Sequence, residues 1–120
     1  MDAERRRAAE RGGRIAETVA VWLLRLKGYR IVARNWRSAV GEVDIIARRG
    51  DLLVAVEVKR RPDATGAAFA IVGRQQRRIA AAAELFRARQ PDAATLSLRF
   101  DAIFVVPGRL PHHLLDAWRA

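Results

Sequence analysis

Apolar positions along the chain run first at helical period, then in alternation, then at helical period again, and finally in alternation. From about Ala3 to Lys27, Ile15, Trp22, Leu23 and Leu26 recur at helical spacing, while Arg11, Arg14 and Arg25 fall elsewhere on the wheel. This predicts an amphipathic helix with a charged start and those four residues as its apolar stripe. Gly28 after Lys27 reads as a C′ stop, with a basic last turn that suits the helix dipole. "YRIVARNWR", "GEVDIIARR" and "DLLVAVEVKRR" read as three strands, the last two joined around Gly50. Pro62–Ala70 is expected as a loop that orders on a partner. A second helix is predicted from Val72 to Arg89, with Val72, Ile79, Ala83 and Phe86 facing inward. "TLSLRFDAIFVV" supplies a fourth strand stopped by Pro107-Gly108, and the tail "LPHHLLDAWRA" fits a strand or a short helix. Helix, three strands, helix, strand predicts a mixed sheet covered by helices, in a single domain spanning residues 1–120.

Three charges break the apolar runs of the hairpin: Asp44, Glu57 and Lys59. Alternation puts Glu57 and Lys59 on the face of Leu53 and Ala55, opposite Val54, Val56 and Val58. Asp44 joins that face only if the connecting turn has an even number of residues, because the numbers of directly opposed partners must then sum to an odd value. An even turn, at Arg49-Gly50 or Gly50-Asp51, is expected. Two carboxylates at cross-strand distance repel, and burying either unpaired costs several kcal/mol. A hard divalent cation taking oxygen from Asp44, Glu57 and the Val58 carbonyl resolves both costs, with Lys59 beside a bound water. Plain strand ion pairs, Glu57 with Lys59 or an arginine and Asp44 with another arginine, are the structural alternative. The choice of lysine argues for chemistry, since only Lys27 and Lys59 among the 23 basic residues are not arginine, and lysine can lose its proton when tuned.

Charge changes the picture less. The net charge of +10 suits a polyanion, and a GC-rich arginine bias explains it equally well. The start lacks the apolar core of a secretory signal, no apolar run reaches membrane-spanning length, and no cysteine is present. These features predict a cytoplasmic protein without a membrane partner. Glu42 is read as structural or as supporting the site from behind its ligands, Asp101 as ordering Arg99 or a loop, and Trp22 and Trp36 as core. The adjacent His112 and His113 point apart and lack metal-ligand spacing.

Asp44, a gap of twelve, then "EVK" resembles the PD-(D/E)xK motif of the restriction-endonuclease-like superfamily, without its proline. The wider string "GRIAETVAVWLLRLKGYRIVARNWRSAVGEVDIIARRGDLLVAVEVKRR", continuing through Gln76 and "RFDAIFV", resembles the YraN family, also called UPF0102. The resemblance implies a three-layer α/β restriction-endonuclease-like fold, similar to archaeal Holliday-junction resolvases, with a mixed central sheet flanked by helices. It implies that Glu17 from the first helix, which shares an inward face with Ala20, Val21 and Leu24, joins the strand carboxylates as metal ligand and catalytic residue, and that Gln76 from the second helix binds water or a phosphate oxygen. The expected function is a Mg²⁺- or Mn²⁺-dependent endonuclease on structured or branched DNA. Asp44, Glu57, Lys59, Glu17 and Gln76 would be its site, and Arg34, Arg37, Arg60, Arg61 and Arg74 would hold flanking phosphates. DNA is favoured over RNA as partner, and a homodimer is expected in order to span two strands. A non-catalytic or partner-dependent nucleic-acid-binding module is the alternative.

Overall fold

The computed structural model describes residues 2–62 and 71–119. Helix α1 (Asp2–Leu26) is followed by strands β1 (Arg30–Ser38), β2 (Gly41–Arg49) and β3 (Leu52–Arg60). Helix α2 (Gly73–Ala88), a short 3-10 turn (Ala93–Thr95) and strands β4 (Ser97–Val105) and β5 (His112–Trp118) complete the order. The ambiguous tail is therefore a strand. Of the loop expected at Pro62–Ala70, only Pro62 lies within the described residues.

The five strands form one sheet in the order β1-β2-β3-β4-β5. All neighbours are antiparallel except β3 and β4, which run parallel and are joined through α2. The two faces of β3 split the core. Val54 and Val56 pack with Ala20, Val21 and Leu24 of α1, while Leu53 and Ala55 pack with Ile79, Ala82 and Ala83 of α2. A helix thus covers each face of a mixed sheet, the three-layer α/β arrangement expected of a restriction-endonuclease-like fold.

Helix α1 seats itself with the side opposite to the one its large residues predict. Ile15, Trp22 and Leu26 are 64%, 58% and 84% exposed, and the contact face is Ala16, Ala20, Val21 and Leu24. Only Leu23 of the expected stripe is half-buried. Small side chains let the helix axis approach a surface already filled by Ile45, Val54, Val56 and Ile103, and bulky ones would hold it off. Trp22 is consequently not core; Arg25 lies over its ring at 5.2 Å. Trp36 meets Phe86 edge to face at 5.4 Å. On α2, Ile79 and Ala83 are buried and Phe86 half-buried as expected, whereas Val72 is the exposed N-cap.

Helix α1 ends as a Schellman motif. The Gly28 and Tyr29 amides donate to the carbonyls of Arg25 and Leu24, both at 3.0 Å, and Gly28 has φ +89°. The β2–β3 hairpin pairs Arg49 with Leu52 and Ile45 with Val56, so its turn is the two residues Gly50-Asp51, with Gly50 at φ +61°. This even turn carries Asp44 to the position opposite Glu57.

Candidate active site

Beyond Ile45–Val56 the β2–β3 ladder gives way to a side chain. The Val58 amide donates to Asp44 Oδ2 at 2.8 Å, which pins that carboxylate across the gap between the strands. Glu57, 6% exposed, faces it. Lys59 Nζ lies 3.3 Å from Glu57 Oε1, and Gln75 Nε2 from the first turn of α2 donates to the same oxygen at 3.2 Å. Burial, and next the charge and hydrogen bond of Asp44, push the Glu57 carboxyl up to about 8 against a smaller opposing pull from Lys59. Burial and the neighbouring Asp44 carboxylate thus favour the protonated form of Glu57.

Asp44, Glu57 and Gln75 line the floor of a cleft of about 590 Å³ between the β1–β2 turn and the start of α2. Arg37 stands on one wall, Arg74 and Arg78 on the other. Gly41 allows the walls to close, since a Cβ there would meet the Arg78 carbonyl oxygen at 2.5 Å. Arg78, absent from the expected set, is detectable as the position one turn after Arg74 on the same helix face.

The structure gathers Asp44, Glu57, Lys59 and the Val58 main chain, and it is the Val58 amide that touches Asp44. It does not bring Glu17 to them. Glu17 Oε1 accepts from Arg34 Nε at 3.1 Å and Asn35 Nδ2 at 3.0 Å, so strand β1 satisfies it. Among the described residues, no three carboxylates or imidazoles cluster closely enough to hold a metal ion. Gln76 also turns away, donating to the Ile71 carbonyl at 3.0 Å while Gln75 reaches the site. The reason is where the helix starts. With Val72 outside, the inward stripe is Gln75, Ile79, Ala82 and Ala83.

The arginines divide similarly. Arg34 is held by Glu17, and Arg37 pairs loosely with Glu42 at 3.3 Å, both side chains exposed. Arg60 and Arg61 line a separate groove with Gly13, Pro62 and Pro107. Asp101 does order Arg99, through two bonds of 2.8 Å.

Comparison with known proteins adds kinship. Residues 16–105 match the profile described as "Uncharacterised protein family UPF0102". The chain belongs to the UPF0102 family. It is similar to a UPF0102 protein of Parvibaculum lavamentivorans, with 54% identity over 93% of this chain and 84% of that one. A UPF0102 protein of Rhizobium johnstonii is 54% identical over 94% of this chain and 93% of its own length. One of Brucella canis is 51% identical over 92% and 88%. The matched span contains every residue of the UPF0102 cleft floor. No helix of the described residues is long and apolar enough to cross a membrane.

The donor set fits a hard divalent cation. Asp44 and Glu57 offer carboxylate oxygens on neighbouring strands, and both the burial and the Asp44 charge that raise the Glu57 carboxyl are penalties a cation between them would relieve.

Proposed function

We propose that this cleft is the site of a Mg²⁺- or Mn²⁺-dependent endonuclease that hydrolyses phosphodiester bonds of DNA, structured or branched DNA in particular. The supporting observation is the contact between Asp44 and Glu57 at the floor of an arginine-walled cleft, with Lys59 beside them. Asp44 and Glu57 hold the cation, which when bound polarises a phosphate oxygen and makes water more acidic. Arg37, Arg74 and Arg78 take the phosphates on either side of the scissile one, giving affinity without reading sequence. Gln75 fixes the Glu57 rotamer, and Lys59, 3.3 Å from Glu57, stands where it can orient a bound water.

One observation favours the second reading, a nucleic-acid-binding module without cleavage: Glu17 is satisfied by Arg34 and Asn35 and leaves the pair without a third carboxylate. A panel of junction, flap, single-stranded and duplex DNA, with RNA counterparts, incubated with Mn²⁺ or Mg²⁺ separates the two. Cleavage that Glu57→Ala abolishes supports the nuclease. Binding to the same panel with every substrate left whole replaces it with the binding module.

A further inference from the structure

The second lysine of the chain is wired to a different partner. Lys27 Nζ lies 2.8 Å from His113 Nδ1, and His113 Nε2 lies 2.8 Å from Asp101 Oδ2. Lys27 stands at the end of α1, exposed, while the His113 side chain is 3% exposed and Asp101 is fully buried. Asp101 is itself over-determined. It accepts two bonds from Arg99, at 2.8 Å each, and one from the Asp116 amide at 2.9 Å, and Arg99 is braced by the Tyr29 hydroxyl at 2.7 Å.

The protons follow from this wiring. Burial pushes the Asp101 carboxyl up, but His113, Arg99 and the Asp116 amide outweigh it and bring it to about 2, so Asp101 is a carboxylate. A carboxylate only accepts, so His113 Nε2 carries the hydrogen and Nδ1 presents its lone pair to the Lys27 amine. An exposed nucleophile, a base within hydrogen-bond reach and a buried group that orients the base are the parts of an activated-nucleophile site. Lys59 shows the contrast, since its partner is the Glu57 carboxyl and no imidazole among the described residues stands beside it.

We propose that Lys27 is a built acylation site, modified by acyl phosphates with His113 as general base and Asp101 as its positioning residue. After one Nζ proton is lost to solvent, the amine forms the N–C bond at the acyl carbon, and the second proton released from nitrogen passes to His113 Nδ1. The C–O bond to phosphorus oxygen breaks, and phosphate leaves with the electron pair. The products are an amide at Nζ and inorganic phosphate, with the proton returned from imidazole to solvent. Nearby guanidinium groups suit an anionic donor: Arg49 Nη1 donates to the Lys27 carbonyl at 3.2 Å, and Arg25 is in the last turn of α1. This site shares no residue with the proposed nuclease cleft and stands or falls independently of it.

The test treats the folded full chain with acetyl phosphate and follows each lysine by mass spectrometry. Because Lys27 and Lys59 are the only two, each molecule carries its own reference. General-base assistance is worth roughly 10²–10⁴-fold, so Lys27 in the folded chain is expected to react at least ~10-fold faster than Lys59 and than Lys27 in the urea-unfolded chain. His113→Gln should remove that advantage in folded protein. The neutral ester p-nitrophenyl acetate should preserve it. An advantage confined to acetyl phosphate, or one that survives His113→Gln, assigns the effect to arginine recruitment and overturns the relay. Equal rates in folded and unfolded wild-type chain overturn the site altogether, and that comparison requires no variant to fold.

Discussion

Glu57 and Asp101 are the two buried charged side chains among the described residues, and they sit on adjacent strands with opposite fates. Asp101 receives donors from Arg99, His113 and the Asp116 amide, and its carboxyl falls to about 2. Glu57 receives Lys59 and Gln75 but faces Asp44, and its carboxyl rises to about 8. Both are removed from water to a similar degree, so desolvation does not separate them. The balance of donors and acceptors does. A saturated buried carboxylate holds strands together, whereas one crowded by a second acceptor is left with a penalty that the proposed cation would relieve. That difference distinguishes brace from site within one sheet.

The largest effect expected from breaking this contrast is on stability. Asp101→Asn leaves Arg99 and His113 without their counter-charge at a fully buried position, which should cost about 3–5 kcal/mol in urea unfolding. Glu57→Gln removes only a crowded carboxyl and should leave the chain as stable or more so at pH 8. If Asp101→Asn is nearly neutral, the saturated carboxylate is not a brace.

The pH dependence of stability sharpens the contrast, because the two groups act with opposite sign. Unfolded Glu57 titrates near 4.5 and folded Glu57 near 8. Below 4.5 both states carry the proton. Between the two values the folded state keeps a proton the unfolded state has lost, so stability falls as pH rises through about 8. For Asp101, unfolded near 3.8 and folded near 2, the contribution is present above 3.8 and lost as pH falls toward 2. Metal-free wild type should therefore melt highest near pH 4–5, with a decline toward pH 8 of order a few kcal/mol that Glu57→Gln flattens. A wild-type melting profile that is flat or rising from pH 5 to 8 contradicts the crowded pair.

A smaller effect follows for metal. A cation competes with the proton on Glu57, so Mn²⁺ should raise the melting temperature more at pH 8 than at pH 6, and chelation should reverse the gain. Glu57→Gln should lose most of the shift. A Mn²⁺ shift independent of pH, or one retained in Glu57→Gln, places the ion elsewhere.

Period and parity carried the hairpin. Alternation placed Glu57 with Lys59, and an even turn placed Asp44 with them, because β geometry leaves only two faces. Helix faces were less legible. On α1 the large residues marked the outside, since Ala16, Ala20 and Val21 give the closest approach to a sheet surface already filled by Val and Ile. Glu17 does point inward, but its oxygen goes to Arg34 and Asn35, and nothing local records a bond spanning seventeen residues. The Lys27–His113 contact, 86 residues apart in the chain, depends on how β5 docks beside β4, which the ambiguous tail did not reveal.

The smallest effect separates neighbours. Gln75 and Gln76 have the same side chain on the same turn, yet one donates to Glu57 and the other to the Ile71 carbonyl. If Gln75 acts by holding the Glu57 rotamer, Gln75→Ala should weaken the Mn²⁺ thermal shift by the value of one hydrogen bond, about 1 kcal/mol or several-fold in affinity. It should scarcely change the melting temperature of metal-free protein, because α2 is seated by Ile79, Ala82 and Ala83. Gln76→Ala should leave the shift alone and lower melting slightly through the lost bond to Ile71. The reverse pattern would put the helix start one residue away from Gly73 and rotate the wall of the cleft by about 100°. Two alanine variants and a melting curve thus test the helix phase on which the assignment of Gln75 rests.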